Sequence, residues 1–464
     1  MAFRGKRGIV FLLVVVIGLM GNAAPVSARP AETPSIQSAT GGVSVSLPSG
    51  PINVRSGPGT GYGILGRANK GQSFALTGKN REGTWWEIDY GGRKGWISGQ
   101  LVKASGATES VPVVAAPPLP KAAPKAAAPA TAGYFGYGIQ IDPWADRGKA
   151  IGQVHQLGFN WVKFQLPWKD FEGTQGQKNF PDDIVNDLNG NGLNILASIV
   201  KSPNWARPAN TDFGVEGPPA DPATYASYVG EFARRYCGRV QAVEVWNEQN
   251  LHYEWGNEPL DPNRYVQLLA AAYRAIKGAC PQMVVVSGAL TPTGAPAPWA
   301  IDDFTYLERM YRAGLRNYSD AIGAHPSGFN VGPDVTWQGA CDFIKSQGSS
   351  YVGPCNTPHH SWSFRSTMEG YRNIMTKYGD ARKRLWPTEF GWASGWSGNA
   401  GYEYANDNSA EEQAAWTVRA YEMMRNWGFV GPAFLWNLNY THGELGQWRI
   451  ENRPAFGALA GMPK

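Results

Sequence analysis

The 464-residue chain has little charge and almost no excess of either sign. Charged residues make up 17% of it, 42 basic against 37 acidic. Three of the cations, Arg4, Lys6 and Arg7, fall within residues 1–28, which hold no acid, so the remainder carries 39 basic and 37 acidic residues. So even a balance gives no electrostatic reason to expect nucleic acid or an anionic membrane as a partner. Beyond residue 20 no apolar run approaches the roughly 17–25 residues that a spanning helix requires. The glycine-rich stretch 52–66 lacks the terminal Gly-Lys-Ser/Thr and the following helix of a phosphate-binding loop. No C-x-x-C or H-x-x-x-H spacing suggests a metal, and the adjacent His359 and His360 are a weak signal alone. No motif calls for a cofactor.

What is present begins with an export signal. The three cations precede an apolar run from Ile9 to Met20 and then the small-residue pattern Val26-Ser27-Ala28, so residues 1–28 read as a secretory signal peptide cleaved after Ala28. In an exported protein the four cysteines imply disulfides. Three connectivities are open, and Cys341–Cys355 with Cys237–Cys280 is favoured. The first closes a short polar loop, and the second joins two predicted helix ends. Aromatic residues are plentiful, with 19 Trp and 20 Tyr. Their flat faces suit sugar rings as well as protein cores.

Residues 104–133 hold eleven Ala and six Pro and no aromatic, the composition of a semi-extended tether. They separate a module at 42–103 from a larger one at 134–464. In the first, short β-type runs alternate with turns, which predicts a small barrel of about five strands. Its segment N-V-R-S-G-P-G-T, with the later W-W-E-I and G-W-I-S, resembles the bacterial SH3-type domain. The resemblance implies attachment to a secreted or surface protein, with a cell-wall component as a candidate ligand and a spacer role as the alternative.

In the larger module, candidate strands at 136–141, 161–166, 194–199, 242–247, 283–288, 321–324, 384–389 and 433–437 alternate with helical patterns. Asp221-Pro222 and Asp261-Pro262 each place a capping Asp before a helix-starting Pro. The expected fold is a (β/α)8 TIM barrel. An open doubly wound sheet would carry a Gly-rich turn after its first strand, where this chain reads Q-I-D-P-W. Barrel active sites form at the C-terminal ends of the strands. There strand four ends on Asn247-Glu248, strand seven on Glu389, strand eight on Trp436 and strand six on His325.

W-N-E on strand four and P-T-E-F-G-W on strand seven resemble the clan A retaining glycoside hydrolases. E-V-W-N-E-Q-N, S-P-N-W-A and the strand-six His are most similar to family 39. The resemblance implies Glu248 as acid/base, Glu389 as nucleophile and Asn247 as partner of the sugar 2-hydroxyl. It gives Trp436 the floor of the reactive subsite and His325 a sugar or carboxylate contact. Trp168 and Trp205, following strands two and three, are candidate outer platforms. Glu248 is expected to hold its proton near neutrality, through burial and the charge of Glu389. Two departures stand out. Ser327 occupies a position where many members have a Tyr, and Lys163 stands where they usually carry an Arg. Lys163 either supplies a cation to Glu389 or faces the helices. Long loops after strands two, three and six favour cleavage within a polysaccharide. A non-catalytic carbohydrate- or wall-binding protein on the same barrel is the alternative.

Overall fold

A computed structural model describes residues 42–59, 62, 64–117, 135–398, 401–441 and 445–464. The expected signal peptide lies outside them. The described residues fall into two compact units.

The smaller unit is antiparallel, with strands β1 (Ser44–Ser46), β2 (Ile52–Arg55), β3 (Ile64–Ala68), β4 (Ser73–Lys79), β5 (Trp85–Asp89), β6 (Lys94–Ser98) and β7 (Lys103–Ser105). They follow the order β3-β2-β6-β5-β4-β1-β7. Period-two alternation builds the core. In β2, Ile52 and Val54 point inward while Asn53 and Arg55 stay half-exposed. They join Val45, Leu47, Phe74, Ile88 and Ile97. Gly57 is needed because a Cβ there would lie 2.3 Å from the Tyr62 ring.

Seven strands rather than five correct the sequence expectation, and so does the end of the unit. Residues 104–117 are folded against it rather than forming a tether. Lys79 N donates to Pro112 O at 2.9 Å and Val114 N to Lys79 O at 2.8 Å. Val111 is buried, and the Tyr62 hydroxyl donates to Pro117 O at 2.8 Å. Ala/Pro-rich composition lacks side chains for a core, but backbone amides still pair.

The larger unit is a ring of parallel strands: β8 (Gly136–Gln140), β9 (Trp161–Pro167), β10 (Asn194–Val200), β11 (Ala242–Val245), β12 (Val284–Ser287), β13 (Ala321–Ala324), β14 (Leu385–Pro387) and β15 (Pro432–Leu435). Neighbours in sequence are neighbours in the sheet, and β15 pairs with β8. Between β14 and β15 the ladder thins to isolated bridges at Leu385–Val430 and Phe390–Leu435. A helix follows each strand, among them Pro222–Tyr236 and Pro262–Ala279. Asp221 and Asp261 cap these two as expected, each accepting a backbone N–H at 2.8 Å.

Trp161, Leu196, Ala242, Val284, Val286, Ala321, Trp386 and Phe434 plug the bottom of the barrel. The indoles of Trp161 and Trp386 meet edge to face, with centroids 5.4 Å apart. Gly138 makes room for this packing, since a Cβ there would sit 2.6 Å from Phe434. The outward side chains of the strands, such as Ile139, Val162, Ile195, Val243 and Ile322, join the helices in one continuous core. With the bottom filled by apolar groups, polar inward positions remain only toward the strands' C-terminal ends. The predicted Cys237–Cys280 and Cys341–Cys355 pairs are both bonded.

Candidate active site

Just beyond β11 the chain turns sharply. Trp246 and Glu248 adopt left-handed backbone conformations, φ 74° and 49°, which cost a non-glycine residue about 1–3 kcal/mol each. The surroundings hold them there. Trp246 N donates to Ile199 O at 3.2 Å and Glu248 N to Ala289 O at 2.9 Å, while the Trp246 indole donates to Glu254 O at 3.2 Å. The turn carries Asn247 and Glu248 over the mouth of the barrel.

Under that mouth lies a layer of largely buried polar groups from five strands and the residues just past them. Lys163, inward on β9, places Nζ 2.7 Å from Glu389 Oε1 and 3.4 Å from Glu244 Oε2. It does not face the helices. Burial pulls its pKa down, but the charges of Glu244 and Glu389 outweigh that and hold the ammonium above its ordinary value. Gln165 also reaches Glu389 Oε1, at 3.4 Å. Glu244, inward on β11, accepts from Ser198, from Thr388 Oγ1 at 2.6 Å and from Ala289 N at 3.3 Å.

His325 completes the layer. Its Nε2 lies 3.1 Å from Thr388 Oγ1. The Thr388 proton is given to Glu244, so the hydroxyl accepts from His325 and Nε2 carries a hydrogen. Nδ1 is therefore the variable position, 3.0 Å from Glu248 Oε1 and 3.9 Å from Glu389 Oε2. Burial lowers the pKa of His325, but the charge of Glu389 and the hydrogen bond to Glu248 outweigh it, so it is raised. Burial raises the Glu248 carboxyl, yet the hydrogen bond and charge of His325, with Thr291 and Lys163 adding, bring it below its ordinary value. The direction is opposite to the raised carboxyl that the sequence led one to expect, because His325 Nδ1 sits 3.0 Å from Glu248 Oε1.

Each glutamate has one oxygen tied and one available. Glu389 Oε1 is held by Lys163 and Gln165. Glu248 Oε1 is held by His325, while its Oε2 is buried without a hydrogen bond. A Glu248 oxygen, a His325 nitrogen and a Glu389 oxygen lie within 4.8 Å of one another. Three such donors could in principle hold a cation, but Lys163 already supplies one to Glu389.

Above this layer opens a cleft of ≈ 650 Å³, lined by Glu248, Thr291, His325, Ser327, Glu389 and Trp436, with Phe329, Tyr402, Tyr404 and Trp448 on its walls. Trp436 is half-buried on the floor and stacks with Tyr440, centroids 5.2 Å apart. Asn247 is buried beside Glu248 in sequence, its Oδ1 unpaired. Trp168 is a correction. It is wholly buried, its indole donates to Glu172 Oε2 at 2.8 Å, and it packs against Tyr225. It is core, because the helical turn Trp168–Phe171 folds its ring back under the loop. Trp205 is half-buried, does not line the cleft, and donates to Glu172 O at 2.7 Å.

Sequence reading missed Glu244, Thr388 and Gln165, although strand alternation turns all three inward. It also missed Glu254, buried behind the Trp246 turn. Burial pushes that carboxyl up to about 8, helped by Glu248, Glu216 and Glu389 and opposed by Lys201.

A parallel eight-stranded barrel with two glutamates at the ends of its fourth and seventh strands defines the class of architecture. Among solved structures, a family 39 glycoside hydrolase from the gut symbiont Bacteroides cellulosilyticus WH2 has this fold. It aligns with TM-score 0.52 and 17% identity over 90% of this chain and 76% of that one. An exo-β-1,4-mannosidase from Opitutaceae bacterium strain TAV5 aligns with TM-score 0.48 and 13% identity, over 71% of this chain and 61% of that one. A glucosidase from Croceicoccus marinus aligns with TM-score 0.47 and 16% identity, over 72% and 68%. The structural neighbours are clan A glycoside hydrolases, family 39 among them. Residues 50–103 match the bacterial SH3 domain. No curated protein matches the chain.

Proposed function

We propose that the protein is a secreted retaining β-glycoside hydrolase that cuts a polysaccharide by double displacement. The observation that carries the reading is the approach of the two glutamates, with one oxygen of each within 4.8 Å. Retaining enzymes hold their carboxyl groups ~5–5.5 Å apart, whereas inverting enzymes need ~6.5–9.5 Å to admit a water.

In this reading Glu389 Oε2 attacks the anomeric carbon while Lys163 and Gln165 hold Oε1. The bond to the departing oxygen breaks, and that oxygen takes a proton from the Glu248 carboxyl. The proton first moves from His325 Nδ1 to Glu248, a transfer favoured when substrate drives water from the cleft and the neutral pair replaces the ionic one. Once Glu389 is esterified it no longer bears a charge. Glu248 then takes a proton from water, the hydroxide attacks the anomeric carbon, and Glu389 leaves as carboxylate. Asn247 serves the sugar 2-hydroxyl, where its unpaired buried oxygen would otherwise cost about 1–3 kcal/mol, and Trp436 stacks beneath the ring. His325 sets the proton rather than touching the sugar.

The open cleft and the long loops after β9, β10 and β13 support cutting within a chain. Export is supported by the N-terminal residues and two disulfides. A wall component is the proposed ligand of the SH3-type unit. Wild type and Glu389→Gln are to be incubated with a panel of β-linked polysaccharides and the products followed by mass spectrometry. Cleavage by wild type alone is expected, with the anomeric configuration retained. Equal turnover by the variant, or an inverted product, refutes the assignment.

A further inference from the structure

Away from the glutamates, two loops that wall the cleft meet at a second cluster. The loop after β12 ends at Asp302, which caps the helix Asp303–Arg312 by accepting Thr305 N on Oδ1 at 2.8 Å. That commits one oxygen and turns Oδ2 toward the long loop after β13. There Oδ2 meets two ring nitrogens, His359 Nε2 at 3.3 Å and His360 Nε2 at 3.6 Å. The oxygen is buried, yet it makes no hydrogen bond to either ring. The carboxylate oxygen and the two ring nitrogens thus face one another where the two loops meet. All three lie within 4.8 Å of each other.

The spacing is that of a tetrahedral ion. Bonds of about 2.0–2.1 Å to His nitrogen and carboxylate oxygen put neighbouring donors about 3.4 Å apart. One ring is fixed at its back by hydrogen bonding to Ser361 and the other by stacking. His359 Nδ1 lies 2.9 Å from Ser361 Oγ. His360 lies flat on Phe304, centroids 3.5 Å apart and planes 6° from parallel. Asp303 adds a second carboxylate beside His360. Its Oδ1 is 2.8 Å from His360 Nε2, and its Oδ2 is unpaired although the residue is completely buried. Two carboxylates with two neutral imidazoles bear a charge of −2, which a divalent ion cancels. Side-chain exposures of 30% for Asp302 and 28% for His359 leave a path for entry.

We propose that Asp302, His359 and His360, with the Asp303 carboxylate beside them, form a binding site for a divalent cation of the zinc type that clips the two cleft-wall loops together. N and O donors in tetrahedral array suit Zn²⁺ over Mg²⁺ or Ca²⁺, which take more oxygens. The histidines are adjacent in sequence, but the acids come from 57 residues earlier, so no motif reveals the site. The inference does not depend on the reaction proposed above.

The test uses the full chain stripped with EDTA and titrated with Zn²⁺ by calorimetry, with Co²⁺ as an absorbing substitute. One equivalent is expected to bind, raising the thermal midpoint, and Co²⁺ should add visible bands of tetrahedral intensity. His359→Gln, at the more exposed ring, should weaken binding at least a hundredfold while the metal-free midpoint stays close to wild type. Asp302→Asn should do the same and serves if the histidine variant misfolds. Glu389→Gln should bind as wild type does. No saturable uptake by wild type overturns the proposal, as does uptake unchanged in both cluster variants. Loss of binding in Glu389→Gln would move the ion to the cleft and also overturn it.

Discussion

Replacing Lys163 with Met removes the one cation between two buried carboxylates while keeping most of the side chain's volume. Its Nζ lies 2.7 Å from Glu389 and 3.4 Å from Glu244, in groups 0–15% exposed. At an effective dielectric of about 20, a pair at the shorter distance attracts by about 6 kcal/mol. Measured costs of removing one partner from a buried pair run at about 3–5 kcal/mol, because relaxation recovers some of the loss. Lys163→Met is therefore expected to lose about 3–5 kcal/mol in urea unfolding at pH 8.

The deficit should depend on pH. In wild type the lysine's raised pKa makes its contribution complete below the unfolded value of about 10.5, and it is lost as pH rises from there through the folded one. It adds no slope between pH 5 and 8. In the variant a carboxyl can take a proton as pH falls, which removes the uncompensated charge, so the deficit shrinks toward pH 5. The same energy divided by about 1.4 kcal/mol per unit moves the acid limb of kcat/KM up by roughly two units or more. A variant as stable as wild type at pH 8, or a deficit constant from pH 5 to 8, would refute the ionic clamp.

Three further outcomes follow from the site. Because His325 is raised above 6.5, kcat/KM should hold through pH 6.5 and fall only above it as the His325–Glu248 pair loses its proton; a fall centred below 6.5 sinks the relay. Glu254, raised to about 8, is protonated in the folded state between about 4.5 and 8 and ionised when unfolded, so its contribution to stability declines across that window at up to about 1.4 kcal/mol per unit. Glu254→Gln should remove the decline, gaining stability in urea at pH 8 relative to pH 5; parallel profiles would refute this. Trp168→Ala should cost about 3–5 kcal/mol of stability with KM little changed, whereas Trp436→Ala should impair turnover with a smaller stability loss, and the reverse pattern would overturn the placement of both rings.

The eight barrel strands were legible because each is a short apolar, β-branched run bounded by turn residues, and all eight form. Glu248 and Glu389 were legible for a related reason, since an acid at the end of such a run is conspicuous. Glu244 was not, although V-E-V-W-N-E holds it in plain view. Alternation turns it inward, but nothing in the local sequence says that β9 brings a lysine to meet it. Trp168 was misread because an indole just past a strand looks the same whether the next turn folds it inward or outward. The setting of His325 was equally hidden. It depends on a chain through Thr388 to Glu244 that joins residues 144 positions apart. Residues 104–117 were misjudged because composition reports on side chains, while that segment docks largely by its backbone.

The polar layer at the barrel mouth draws on the strands themselves or the residues just past their ends, whereas Phe329, Tyr402, Tyr404 and Trp448 above it come from excursions of the chain between strands. The floor and the rim of the cleft are therefore separate inheritances. Loops can lengthen, shorten or exchange their aromatic residues without disturbing the hydrogen-bonded frame that fixes Lys163, Glu244, Thr388 and His325. A lineage built on this barrel is free to change what it admits long before it changes what it can do, and grafting foreign loops onto this frame is the direct way to redirect it.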